Sequence, residues 1–174
     1  MTFLDLAVAA AVALGLANSL AVVLLIRVAN VPARPPQGLA VGAPLPTFEI
    51  KSLAGSRITE REVAGRLLVF LGASCRPCHA VARQLASTKT TLLQRLSILV
   101  VGDVPADGDD LLELLSFMPR ETVAHDPGHA VAERLEVFGT PFAYAVDRSG
   151  RVQDKAVASN TALLQELAGR AQPR

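Results

Sequence analysis

Cys75 and Cys78, the only cysteines in 174 residues, stand two residues apart in the tetrad Cys75-Arg76-Pro77-Cys78. At the first turn of a helix, that spacing lets two thiols close into a small disulfide and reopen. The chemistry within reach is thiol–disulfide exchange, in which a thiolate attacks a disulfide sulfur and a second thiol resolves the mixed intermediate. Cys75 is the expected attacking thiol and Cys78 the resolving one.

The neighbouring sequence must place the pair at such a turn. Leu67, Leu68, Val69, Phe70 and Leu71 form a short apolar run ending at Gly72, which reads as a buried strand. Beyond the tetrad, Cys78, Val81, Ala82 and Leu85 recur at helical spacing and define an inward face, with Arg76, His79 and Arg83 pointing out. Cys75 then sits at or before the helix start, where unpaired N–H groups and the positive dipole end favour a thiolate, and Arg76 adds a cation. In such settings a thiol pKa near 8.5 falls to roughly 3.5–7.5.

Three other uses of the pair bear comparison. A structural disulfide closing so short a loop gains little chain entropy. Half a zinc site would need a second Cys pair, and His125 and His129 lie far downstream, so no metal site is expected. Haem attachment is the nearer rival, because Cys75 to His79 spells C-x-x-C-H. A haem domain of that kind would wrap the motif in helices and offer a distal ligand such as Met118 or a second His. Here a second apolar strand, residues 97–101, follows and turns at Gly102-Asp103, so strand, helix and strand form a βαβ unit with a parallel sheet.

The pattern continues. Asp109 and Asp110 precede Leu111, Leu112, Leu114, Leu115 and Phe117, a capped amphipathic helix. Thr122-Val123-Ala124 reads as a short strand, and Asp126-Pro127 as the N-cap and first-turn proline of a helix through Val131 and Leu135. After Gly139-Thr140-Pro141, residues 142–146 form a strand, Asp147-Arg148-Ser149-Gly150 a hairpin turn and residues 151–157 its partner. Asn160 caps a last helix carrying Leu163, Leu164 and Leu167, with Gly169 near its end. The class is α/β with a mixed sheet.

These residues resemble a known family. A C-x-P-C tetrad after an apolar strand, a Gly-Thr-Pro about sixty residues on, and an apolar strand ending Asp-Arg-Ser-Gly-Arg look like the thioredoxin fold of membrane-anchored TlpA/ResA-type thiol–disulfide oxidoreductases. Within that group the nearest resemblance is to the MauD-type proteins of methylamine dehydrogenase maturation. Supporting stretches are Pro46-Thr47-Phe48, Leu53-Ala54-Gly55, Gly65 to Leu71 and Pro141 to Asp147, and the match covers about residues 40 to 168.

The resemblance implies that Pro141 is a cis-proline lying against the active-site disulfide, a bond that costs only about 0.5–1 kcal/mol. Thr140 would present its backbone to an extended substrate by strand addition, and Arg76 and Pro77 would support the pair. This sequence also departs from the pattern. Ser74 stands where thioredoxins carry Trp before the first Cys, Val81 where TlpA/ResA-like proteins often carry Glu, and Val69 where thioredoxins bury an Asp. Neither usual carboxylate is present to take the resolving thiol's proton, and His79, adjacent but outward, reads as a solvated surface histidine.

Residues 3 to 26 are apolar except Asp5, Asn18 and Ser19. At 1.5 Å per residue they give about 36 Å, enough to cross a hydrocarbon core of about 30 Å. The expected organisation is an uncleaved transmembrane anchor at residues 1–28, a Pro-rich linker at 29–45 and a thioredoxin-like domain at 46–174. A formal net charge of +1, without basic runs beside aromatics, gives no reason to expect a nucleic-acid partner.

Two arguments on topology oppose each other. Arg27 and Arg34 follow the anchor and no Lys or Arg precedes it, which by the positive-inside rule places the domain in the cytoplasm. The resemblance places it outside, in a compartment where disulfides are made and corrected. The expectation adopted is a single-pass protein of the inner membrane with its domain extracytoplasmic, or periplasmic.

The expected activity is reduction, formation or isomerisation of disulfides in extracytoplasmic client proteins, in maturing an enzyme or a c-type cytochrome. The redox-active disulfide would serve without any further cofactor, and an integral-membrane partner would exchange electrons with it. Two alternatives remain. A thiol peroxidase on this fold needs a Thr three residues before the reactive Cys, where Gly72 stands. A thioredoxin-like chaperone or assembly factor would not use the thiols at all.

Overall fold

A computed structural model describes residues 15, 19, 37–88, 90–103 and 111–171. Gly15 and Ser19 are helical. The rest of the apolar run at 3–26, the first part of the linker and the Asp109-Asp110 cap lie outside the described residues. Among the described residues, no helix is long and apolar enough to cross a membrane. The chain divides into Met1–Pro36 and Gln37–Arg174, and the sheet and the cysteines belong to the second unit.

That unit opens with a small antiparallel hairpin, β1 (Glu49–Lys51) and β2 (Arg57–Thr59), which the sequence reading did not anticipate. The main strands are β3 (Leu67–Gly72), β4 (Leu96–Val101), β5 (Val123–Asp126), β6 (Phe142–Val146) and β7 (Val152–Val157), in the order β5-β4-β3-β6-β7. β3, β4 and β5 run parallel, while β6 pairs antiparallel with both β3 and β7. The helices are α1 (Arg76–Ala86), α2 (Thr90–Leu93), α3 (Leu111–Leu114), α4 (Ala130–Arg134) and α5 (Thr161–Arg170).

β3 is central and apolar throughout because both of its faces are covered. Its pleat divides the core. Leu67, Val69 and Leu71 pack with Cys78, Val81 and Leu85 of α1 and with Leu164 and Leu167 of α5. Leu68 and Phe70 pack on the other side with Val63, Leu135, Phe142 and Tyr144. Full burial of each such side chain contributes roughly 1.5–3 kcal/mol, so the end of β3 is held on both sides.

Several local expectations change. The strand expected at Thr122 starts one residue later and runs on to Asp126, because Thr122 closes a single 3-10 turn with its Oγ1 donating to the Pro119 carbonyl at 2.8 Å. Asp126 and Pro127 do not start the next helix. His129, in the left-handed region at φ 58°, precedes it, and the buried Asp126 carboxylate accepts from Val131 N at 3.0 Å and Ala132 N at 2.9 Å. The aspartate thus caps α4 from the strand end. Arg151 lies outside β7, its N–H turned to Asp147 Oδ1 at 2.9 Å. The helix expected through Phe117 ends at Leu114 and passes into turns ahead of Pro119.

Within this unit, residues 37–45 lie against β7 and the turn before it. Gly42 N donates to Val152 O at 2.7 Å and Leu45 N to Gly150 O at 2.9 Å, while Lys155 Nζ donates to the carbonyls of Gln37 and Gly38 at 2.9 and 2.7 Å. The Tyr144 hydroxyl accepts from Leu39 N at 2.7 Å and donates to Leu135 O at 2.6 Å.

Candidate active site

The register of the sheet assembles the site. Phe70 of β3 pairs with Phe142 of antiparallel β6, so each step forward along β3 meets a step backward from β6. Gly72, the last residue of β3, therefore lies beside Thr140, just before β6 begins. A Cβ on Gly72 would sit 2.5 Å from Thr140 Oγ1 and 3.0 Å from Cys75 Cβ, so only a glycine fits with the chain in this place.

After Gly72 the chain turns, with Ala73 N donating to Val101 O at 2.9 Å and Cys75 N to Gly72 O at 3.1 Å. Cys75 is the N-cap of α1, with extended backbone, and Arg76 and Pro77 fill the first turn, where a proline loses no helical hydrogen bond. Cys75 and Cys78 form a disulfide, with Cα atoms 5.2 Å apart. Cys75 is half-buried at the surface, whereas Cys78 is fully enclosed on the inward face of α1.

Each sulfur accepts a backbone N–H: Cys75 Sγ from Cys78 N and Cys78 Sγ from Gly72 N, both at 3.2 Å. Cys75 Sγ also lies 3.5 Å from the Thr140 carbonyl oxygen. The Thr140–Pro141 bond is cis, the geometry the resemblance implies. Once the disulfide is reduced, the N–H aimed at Cys75 and the start of α1 favour negative charge on that sulfur.

The structure thus brings Cys75, Cys78, Thr140 and Pro141 together, with Arg76 and Pro77 exposed beside them. Cys78 is surrounded by an apolar cluster that includes Val69 and Val81, the two positions at which the resemblance would have led one to expect a carboxylate. His79 is a correction to the sequence reading. It is half-buried, and Nε2 lies 3.0 Å from Ala73 O. Helical side chains tilt toward the N-terminus, so a residue one turn after Cys75 reaches back over the loop instead of pointing into water.

The other residues weighed for metal or haem chemistry lie elsewhere. Met118 is buried in the core, and His125 Nε2 lies 2.9 Å from Gly102 O. His129 is exposed and lines a groove of about 530 Å³ that ends at Cys75. Sequence reasoning missed this groove and the exposed Phe138 on its edge. The one available signal was a lone aromatic just ahead of Gly139-Thr140-Pro141.

No protein-family model matches the chain, and no curated protein sequence matches it. Solved structures do. The chain is similar to a thio-disulfide isomerase from Thermus thermophilus, at 29% identity and a TM-score of 0.55, over 76% of this chain and 99% of that one. It is similar to a thiol:disulfide interchange protein from Bacteroides sp., at 20% identity and a TM-score of 0.55, over 75% and 90% of the two chains. It also matches the thioredoxin domain of a thiol-disulfide oxidoreductase from Bacteroides vulgatus, at 20% identity and a TM-score of 0.54, over 75% and 97%. The fold is thioredoxin-like, and its structural neighbours are thiol–disulfide oxidoreductases of the thioredoxin type.

Proposed function

We propose that this chain is a membrane-anchored thiol–disulfide oxidoreductase whose Cys75–Cys78 pair exchanges disulfides with extracytoplasmic client proteins, in the manner of MauD-type maturation factors. The observation that carries this reading is the placement of one accessible sulfur. Cys75 Sγ stands at a helix start, accepts the Cys78 N–H and lies 3.5 Å from the carbonyl of Thr140, beside a cis-proline.

In the reductive direction the Cys75 thiolate attacks a client sulfur and expels the client's other sulfur as a thiolate. The Cys78 thiolate then attacks Cys75 Sγ, the client leaves reduced, and the protein disulfide closes. Two electrons pass from the protein dithiol to the client. The reverse sequence makes a client disulfide. Thr140 offers its backbone to an extended client segment, and Arg76 and Pro77 support the helix start. A membrane-embedded redox partner restores the pair, which needs no other cofactor.

The anchor rests on the apolar run at residues 3–26, long enough to span a bilayer. The extracytoplasmic placement rests on the resemblance, against the bias of Arg27 and Arg34. Reporter fusions at the C-terminus that are active only in the cytoplasm would recast the protein as an intracellular reductase.

The deciding experiment is equilibration of the full chain in detergent with glutathione or dithiothreitol buffers. A reversible two-electron couple is expected. A potential near about −270 mV makes the protein a reductant or isomerase, and one near about −120 mV a disulfide donor. Absence of a reversible couple sinks the proposal.

A further inference from the structure

Phe138 is 76% exposed two residues before Thr140, while its neighbours Leu135 and Val137 are buried in the core. The chain reaches this point through Glu136, held in the left-handed region at φ 56°. Val137 anchors the loop inward, and the next side chain faces out. An apolar side chain exposed singly is ordinary on a protein surface; this one stands on the groove that reaches Cys75 of the disulfide.

Phe138 borders the groove that ends at Cys75. Ala73 and Val101 give this groove an apolar floor, and Asp103 and Glu133, both exposed, give it negative charge. No Lys or Arg lines it among the described residues. Arg76, exposed at the start of α1, lies outside the groove and disfavours a cation on the helix side of Cys75.

We propose, on the reading that the pair exchanges disulfides with clients, that this groove selects extended segments whose cysteine is flanked by an apolar and a cationic side chain. The apolar side chain packs on Phe138. The cation meets Asp103 and Glu133, and its alkyl stem lies along the ring. Charge complementarity of this kind between exposed groups is sensitive to salt.

The test uses the reduced full chain in detergent and short peptides whose single cysteine carries glutathione. The Cys75 thiolate attacks the peptide sulfur and glutathione leaves as its thiolate; Cys78 then displaces the peptide thiol and closes the protein disulfide. Residues flanking the peptide cysteine are Phe with Lys, Phe with Glu, Ser with Lys, or Ser with Ser, each in both orders.

The Phe–Lys peptide in its better order should show a second-order rate constant for oxidation of the reduced protein at least about tenfold above Phe–Glu at low salt, equivalent to about 1.4 kcal/mol. Most of that ratio should vanish in about 1 M salt, where the screening length falls to about 3 Å. In the Asp103→Asn/Glu133→Gln variant the Lys-to-Glu ratio should fall toward one, and in Phe138→Ser the Phe-to-Ser ratio should do the same. If the wild-type protein reduces all peptides at comparable rates, the inference is wrong and the redox function stands. If it reduces neither the peptides nor an aromatic small-molecule disulfide, the redox function itself fails.

Discussion

Gly72 and Thr140 are so close that a single methyl group on Gly72 would lie 2.5 Å from Thr140 Oγ1. This contact joins the end of the central strand to the loop before cis-Pro141. It also brings the Thr140 carbonyl to Cys75.

Gly72→Ala should therefore push the Thr140 loop off the disulfide. Overpacking of this kind costs about 1–3 kcal/mol. Displacement of the Thr140 backbone, to which the proposed function gives client binding, should lower client kcat/KM by about tenfold or more. Denaturant unfolding and insulin reduction measure the two effects; an alanine variant with unchanged turnover would remove this contact from the mechanism.

The two sulfurs differ in access. In the reduced protein, iodoacetamide should modify Cys75 well before Cys78, because Cys78 is fully enclosed. Cys78→Ser should accumulate a stable mixed disulfide with client, whereas Cys75→Ser should not. Peptide mapping by mass spectrometry reads both outcomes, and faster labelling of Cys78 would reverse the assigned roles.

Tyr144 is the chain's single tyrosine, and there is no tryptophan. Burial, reinforced by the nearby Glu136 charge and opposed by the Leu39 N–H, pushes its hydroxyl from 10.0 up to about 12. The folded state keeps the proton after an unfolded chain would lose it. The stabilisation is complete below about pH 10 and is lost as pH rises toward about 12. Tyrosinate absorbance followed alongside circular dichroism should show ionisation together with unfolding above pH 10. Tyr144→Phe should remove this alkaline dependence. It should also cost about 1–3 kcal/mol, because Leu135 O and Leu39 N lose their partner.

Asp147 behaves oppositely. Burial alone would raise its carboxyl, but hydrogen bonds from Arg151 N, the Ser149 hydroxyl, Gln153 Nε2 and Ser149 N outweigh it and hold the group below the usual carboxylate range. Its contribution is present above the unfolded value of about 3.9 and is lost as pH falls through the lower folded value. Chemical-denaturation curves between about pH 5 and pH 2 should fall less steeply for Asp147→Asn than for the natural protein.

The redox pair, the strand ending at Gly72 and the inward face of α1 are legible in the sequence because they depend on local spacing and periodicity. The same holds for β6 and for the Asn160 cap of α5, where Asn160 Oδ1 accepts from Leu163 N at 2.9 Å. Thr140 and Pro141 emerged only through family resemblance, because no local rule links residue 140 to residue 75. The hairpin of β1 and β2 escaped notice because three-residue strands carry too little pattern.

What the sequence by itself determined is the chemistry: two thiols at the spacing of one helical turn, at a strand-to-helix junction. What only the tertiary structure decided is the surroundings of those thiols. Antiparallel pairing of β3 with a strand some seventy residues later sets Thr140 beside Gly72. Burial of Val137 turns Phe138 out to the groove, and the backward tilt of helical side chains brings His79 onto Ala73 O. These are consequences of non-local packing, where the burial of one residue fixes the exposure of the next, and a linear pattern does not contain them.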